Sequence, residues 1–136
     1  MFNSKILGAL LAGALLVGGC ATMDSTAPVK YSSGVMVDNA GMTLYTFDKD
    51  LQGAGKSVCN GPCAGLWPPL AAGADGKPAG DFTIFTRDDG SKQWVYKGKP
   101  LYLWIKDREP GDRTGDGFNK VWHVVPQESG SMRSGY

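Results

Sequence analysis

Two cysteines, one histidine and a scatter of carboxylates are the side chains in this sequence best suited to chemistry. Cys59 and Cys63 stand in Cys-Asn-Gly-Pro-Cys, where Gly61-Pro62 can turn the chain so that the sulfurs meet. In an oxidising compartment a local disulfide is the default reading. For so short a loop the chain-entropy contribution is only about 2 kcal/mol, so the bridge orders a loop more than it holds a fold. The alternative is a redox pair or a soft-metal site. His123, the only histidine, would then offer an imidazole to copper or haem iron. The plainer option for His123 is a packed ring with a satisfied nitrogen. Met36 and Met42 could add thioether sulfur, but methionine on a strand is usually core. Covalent haem attachment needs Cys-x-x-Cys-His, which does not occur. His123 is kept as a candidate metal ligand, and no cofactor is expected.

The carboxylates divide into two kinds. Asp50 and Asp107 each end an apolar stretch and precede a Gly-rich loop, so each can accept hydrogen bonds from the amides that follow. Glu109, Asp112 and Asp116 crowd the second of these loops, Asp-Arg-Glu-Pro-Gly-Asp-Arg-Thr-Gly-Asp-Gly. Clustered oxygens can bind Ca²⁺, but the EF-hand spacing is absent and loop solvation is the simpler expectation. There is no nucleophile elbow, phosphate loop or His-Glu-x-x-His. With a single histidine, few general bases remain outside the carboxylates. The expectation is a chain that is not an enzyme.

The elements that must position these residues begin after an export signal. Lys5 supplies a short positive region, and Ile6 to Val17 is an uncharged apolar run. As a helix that run would span about 18 Å. The hydrocarbon core of a bilayer is about 30 Å thick, so the run is short for a membrane span and suits a signal peptide. Val17-Gly18-Gly19-Cys20 resembles the lipobox of bacterial lipoproteins. That resemblance implies cleavage after residues 1–19 and lipidation of Cys20, with palmitate-type acyl chains on its thiol and amine. Two or three chains hold a protein firmly where one does not. Ala21 follows the cysteine where an aspartate would retain the protein at the inner membrane. By resemblance to known sorting, this favours the outer membrane, facing the periplasm.

Formal charge is +1, and loss of Lys5 leaves acidic and basic side chains equal in number. Nucleic-acid binders rely on a basic excess for phosphate contacts, so no nucleic-acid partner is expected. Twenty glycines and eight prolines favour short strands and many turns over long helices. Residues 20–30 carry little to bury and read as a lipidated tether. Residues 127–136 read as a disordered tail. The folded unit is then 31–126.

An internal repeat organises that unit. Gly41-Met-Thr-Leu-Tyr-Thr-Phe-Asp-Lys-Asp50 returns as Gly98-Lys-Pro-Leu-Tyr-Leu-Trp-Ile-Lys-Asp107, an offset of 57 residues from Gly41 to Gly98. A Gly-rich loop and a tryptophan follow each copy, Trp67 in one and Trp122 in the other. This is the signature of a duplication, with repeats over about 31–72 and 82–126. Read as strands, the copies place Tyr45 with Phe47, and Tyr102 with Trp104, on one face. Leu44 and Leu101 point the other way. Further strands are expected over 34–37, 82–86, 93–96 and 121–125. The fold class is all-β: two duplicated β-meanders packed around aromatic side chains.

The doubled Tyr-x-aromatic-x-x-Asp motif (Tyr45, Phe47, Asp50; Tyr102, Trp104, Asp107), with Cys59, Cys63, Trp67-Pro-Pro and Trp122-His123, resembles the secreted-repeat lipoprotein family. The resemblance covers nearly the whole exported domain. It implies a secreted repeat of unknown function and brings no catalytic residue with it. The expected role is a membrane-anchored, non-enzymatic binding or interaction domain. The alternative is a redox or metal-handling (copper or haem) lipoprotein using Cys59, Cys63 and His123. A true duplication also requires Tyr45 and Tyr102, Phe47 and Trp104, Asp50 and Asp107, and Trp67 and Trp122 to be equivalent about a pseudo-twofold axis.

Overall fold

The computed structural model describes residues 27–128. The signal segment 1–19, Cys20, the first part of the tether and 129–136 of the tail lie outside the described residues. The chain forms β1 (Val29–Ser32), β2 (Val35–Asp38), β3 (Tyr45–Phe47), a short helix α1 (Pro62–Leu66), β4 (Phe82–Thr86), β5 (Lys92–Tyr96), β6 (Lys99–Pro100), a 3₁₀ turn (Phe118–Lys120) and β7 (Trp122–Val124). The all-β reading is right. β1 pairs with β2, β3 with β7, and β4, β5 and β6 form a third sheet, every pairing antiparallel.

Four strands lie within a residue or two of the pattern-based expectation, and β4 matches it. The second motif copy, expected as a strand, keeps only β6 and isolated bridges at Tyr102, and three further features differ. β1 begins at Val29, inside the stretch expected as tether, because Ala27 and Val29 pack against the core. A four-residue strand with one inward side chain is too short to show a period. At the other end, the amide of Gln127 donates to the carbonyl of Gly34 at 2.9 Å, so ordered pairing outruns the expected boundary at 126. The helix α1 shows no apolar periodicity and buries no residue. Pro62 at its first turn supplies a preset φ, and the disulfide below pins a segment too short to be stable by itself.

The duplication is real in the hydrogen bonding, and its halves are interlocked. Tyr45 and Tyr102 exchange backbone bonds, Tyr45 N to Tyr102 O at 2.8 Å and Tyr102 N to Tyr45 O at 2.9 Å. On one side of this centre β3 runs beside β7, Thr46 opposite His123 and Phe47 opposite Trp122. On the other side the second motif runs beside the end of the first repeat: Leu70 N to Leu101 O is 2.9 Å, Leu103 N to Pro68 O is 2.7 Å, and Ile105 N to Leu66 O is 3.0 Å. The outer strands obey the same rule. Met36 N donates to Val125 O at 2.8 Å, and Trp94 N to Leu70 O at 2.9 Å. Each repeat therefore lends its closing segment to the motif strand of the other. The meanders do not close separately and then dock.

Strand alternation splits the interior into two clusters, one on each face of this central pairing. Tyr45, Phe47, Trp67, Tyr102, Trp104 and Trp122 form the aromatic one, with Cys59. Met36, Leu44, Leu70, Trp94, Leu101 and Val125 form the other. In the first, Phe47, Trp122, Trp67 and Trp104 stack in that order, with ring centroids 4.2, 3.8 and 3.9 Å apart. The sequence of the stack mirrors the duplication, with Trp122 and Trp67 at its centre and Phe47 and Trp104 at its ends. Gly115 lies against this stack. A Cβ there would come within 2.7 Å of Trp67 and 3.1 Å of Trp104, so a side chain at 115 would have to push the indoles apart.

Because the closing segments are exchanged, residues 27–81 expressed alone should show an unfolded circular dichroism spectrum, and mixing with 82–128 should restore strand signal. A half that folds by itself would contradict the exchange. Trp104→Ala should lower the free energy of unfolding, measured by urea titration, by about 3–5 kcal/mol.

Candidate functional site

The motif residues meet at the centre of the molecule. Each tyrosine reaches across the pseudo-axis to the aspartate of the other repeat. Tyr45 Oη donates to Asp107 Oδ2 at 2.6 Å, and Tyr102 Oη donates to Asp50 Oδ2. The remaining oxygen of each aspartate stays at home, as its position before a loop predicted. Asp50 Oδ1 accepts the amide of Val58 at 2.8 Å. Asp107 Oδ1 accepts the amide and hydroxyl of Thr114 at 2.9 and 2.6 Å. Ser57 and Gly115 complete the shells of the two phenols. The two tyrosines and two aspartates are all buried. Burial pushes both phenols well above their ordinary value of 10.0, and the hydrogen bonds to the aspartates push in the same direction.

Beside this centre lies a charged group that sequence reasoning missed. Arg87 is buried, donating from Nη1 to Gln93 Oε1 at 2.5 Å and from Nη2 to Asn60 Oδ1 at 3.1 Å and to the carbonyl of Cys59. Gln93 Nε2 in turn donates to the carbonyl of Leu101 at 2.7 Å. In sequence Arg87 opens Arg-Asp-Asp-Gly, which has the look of a solvated hairpin turn, and no local signal marks it. Its task is to clamp the cysteine loop to β5. Cys59 and Cys63 are bonded to each other, with Cα atoms 5.2 Å apart, as the default reading required.

The other candidates separate. His123 Nε2 and Asp48 Oδ2 are 2.7 Å apart, and both side chains are nearly half exposed, so His123 is paired at the surface instead of packed inside. The sulfurs of Cys59 and Cys63 are joined, so they offer no thiolates to a metal. Asp112 Oδ2 accepts the amides of Arg108 and Glu109 at 2.9 and 3.1 Å, and Asp116 Oδ1 accepts that of Val124 at 3.2 Å. Asp112 thus braces its own loop and Asp116 ties the loop to β7. Among the described residues no group of three histidine, cysteine or acidic side chains could hold a metal ion. Met36 is core.

The accessible polar chemistry collects elsewhere, in an open cleft of about 350 Å³ whose rim carries Asp48, Gln52, Tyr96, Lys97, Lys99 and His123. β3 and β7 supply one wall and the β5–β6 turn the other. Lys97 and Gly98 both take left-handed backbone there, with φ of 48° and 80°. Gly98 cannot be replaced cheaply, since a Cβ would lie 2.7 Å from the amide nitrogen of Gly53.

Compared with known proteins, residues 28–71 and again 83–126 match a family described as a secreted repeat of unknown function. No curated protein and no solved structure matches the chain.

The buried phenols give a pH test. Their raised values mean that the fold prefers the neutral form. The stability they contribute is fully present below pH 10.0, the ordinary phenol value, and is lost as pH rises through their higher folded values. In an alkaline absorbance titration, two of the five tyrosines should ionise only as the domain unfolds. Tyr102→Phe should remove one of these and lower stability by about 1.5–3 kcal/mol, the range for a hydrogen bond to a charged partner. Early ionisation of every tyrosine in a folded domain would contradict the exchange of hydroxyls.

Proposed function

This chain belongs to the family of secreted repeats of unknown function, and from that premise we propose that it is a non-enzymatic binding or interaction domain tethered to a membrane through Cys20. The observation that carries the proposal is the fate of the motif. Tyr45, Asp50, Tyr102 and Asp107 are buried and bonded to one another across the repeats. The doubled motif builds a scaffold, and its carboxylates are occupied by phenols and loop amides. A rigid scaffold with its function on loops and surface clefts is the usual arrangement of a binding domain.

Family membership and the Cys59–Cys63 bond both support a location outside the cytoplasm. Among the described residues no helix is long and apolar enough to cross a membrane. Attachment in this proposal rests on acyl chains at Cys20, each buried CH₂ contributing about 0.8 kcal/mol. Ala21 directs the lipidated chain to the outer membrane, facing the periplasm.

Cys20→Ser should abolish incorporation of a fatty-acid label and move the protein from the membrane to the soluble fraction. Retention of the variant on membranes, together with an unlabelled wild type, would overturn the anchor. Catalysed turnover by the purified domain, lost on changing one carboxylate, would overturn the non-enzymatic reading.

A further inference from the structure

The duplication provides an internal control. A residue type present in both halves at an equivalent place serves the shared architecture. A solvent-accessible polar group present in one half and replaced by an apolar side chain in the other is not demanded by the shared fold. The reciprocal pairing sets these equivalences. Asp48 N donates to Val121 O at 2.8 Å, and Ile105 N donates to Leu66 O at 3.0 Å, so Asp48 corresponds to Ile105. Thr46 lies opposite His123 while Leu103 N bonds Pro68 O, so His123 corresponds to Pro68. Counting back from the motif, Gly98 corresponds to Gly41, and both have left-handed φ, 80° and 86°. Lys99 then corresponds to Met42, while the first hairpin is one residue longer (Leu44 N to Met36 O, against Leu101 N to Trp94 O), so Asn39-Ala40 stand where the second has Lys97 alone.

Asp48, His123 and Lys99 line one cleft together with Lys97, and the places equivalent to the first three in the other half hold Ile105, Pro68 and Met42. Stability does not account for Asp48, His123 or Lys97. The Asp48–His123 pair is nearly half exposed, and such pairs contribute little. Lys97 stands at a left-handed position that asparagine or glycine would fill with less strain. Its turn is held from outside, by Gln52 Nε2 to Lys97 O at 2.8 Å and by Gly53 N to Gly98 O at 2.8 Å. Two lysines and a histidine are thus presented together, over a floor of Val124, Val125 and Pro126 beside the Tyr96 ring. Lys97 already holds one carboxylate. Glu128, near the end of the described chain, places its Oε1 on Lys97 Nζ.

We propose that this cleft binds a small organic carboxylate, with the anion on Lys97 and Lys99 and an apolar body against Tyr96 and the Val124–Pro126 floor. Glu128 occupies the anion position when the ligand is absent and is displaced by it. The proposal deepens the binding-domain reading and rests on it. A cleft of this size, part apolar and rimmed by a few converging polar groups, fits the ordinary pattern of small-molecule sites.

The test is a titration of the ¹⁵N-labelled domain, followed by NMR, with benzoate, benzyl alcohol and inorganic phosphate in turn. Benzoate should produce saturable shifts at Lys97, Lys99 and His123 at millimolar concentration. The uncharged alcohol and the phosphate, each carrying half of the chemistry, should not. Lys97→Gln with Lys99→Gln should weaken benzoate at least about tenfold while the rest of the spectrum is preserved. Glu128→Gln should tighten it, because the competing carboxylate is gone. Unchanged spectra, equal binding of phosphate, or indifference to either lysine or glutamate changes would overturn the site without touching the wider binding-domain reading. If benzoate bound and was consumed, the cleft would stand and the non-enzymatic reading would fall.

Discussion

Each half of this domain buries a phenol whose acceptor belongs to the other half. A hydroxyl taken out of water without a partner is strongly unfavourable, and a buried carboxylate without donors is worse. Tyr45 can be buried only when Asp107 is in place, and Tyr102 only when Asp50 is. The loops that follow those aspartates are ordered by the same carboxylates. One exchange of side chains therefore ties together two strands, two loops and the aromatic stack between them.

The exchange of backbone has the same logic. Every motif strand needs a neighbour to satisfy its amides, and that neighbour is the closing segment of the other repeat. A single repeat would leave a polar edge, an unpaired phenol and half of a tryptophan stack. Together the two halves bury both faces of the central pairing, aromatic on one side and aliphatic on the other. The Cys59–Cys63 bridge and Arg87 act at a lower level, holding one surface loop against β5.

Above a nearly symmetric interior the surface is not symmetric. The interior repeats because both copies must satisfy the same packing and hydrogen-bonding demands. Exposed positions such as Ile105 and Asp48 are under no such demand, and the two ends of the domain have different chemistry. The lysines, histidine and aspartate at one end form the accessible polar cleft, while the scaffold beneath both ends is shared.

Several features were legible in local pattern: a period of two that put Tyr45 and Phe47 on one face and Leu44 on the other, the glycines of the turns, and the repeat at constant offset. The close spacing of Cys59 and Cys63 likewise announced their bond. The pairing of aspartates with their own loops was legible because it is local. Whatever depends on chain crossing was invisible to local pattern. Nothing near Tyr45 in sequence says that its acceptor is Asp107 rather than Asp50, since each sits at the same place in its copy of the motif. Nothing near Arg87 says that it is buried, since its neighbours are those of a solvated turn. β1 and α1 were hidden because each is too short to carry a period, and each is stable only through what it packs against or is bonded to. His123 looked like a packed strand residue, and only the register of β7 against β3 placed it at the surface beside Asp48. Local preferences choose strands and turns, but which strand completes which sheet is set by the burial of both repeats at once, and that is a property of the whole fold.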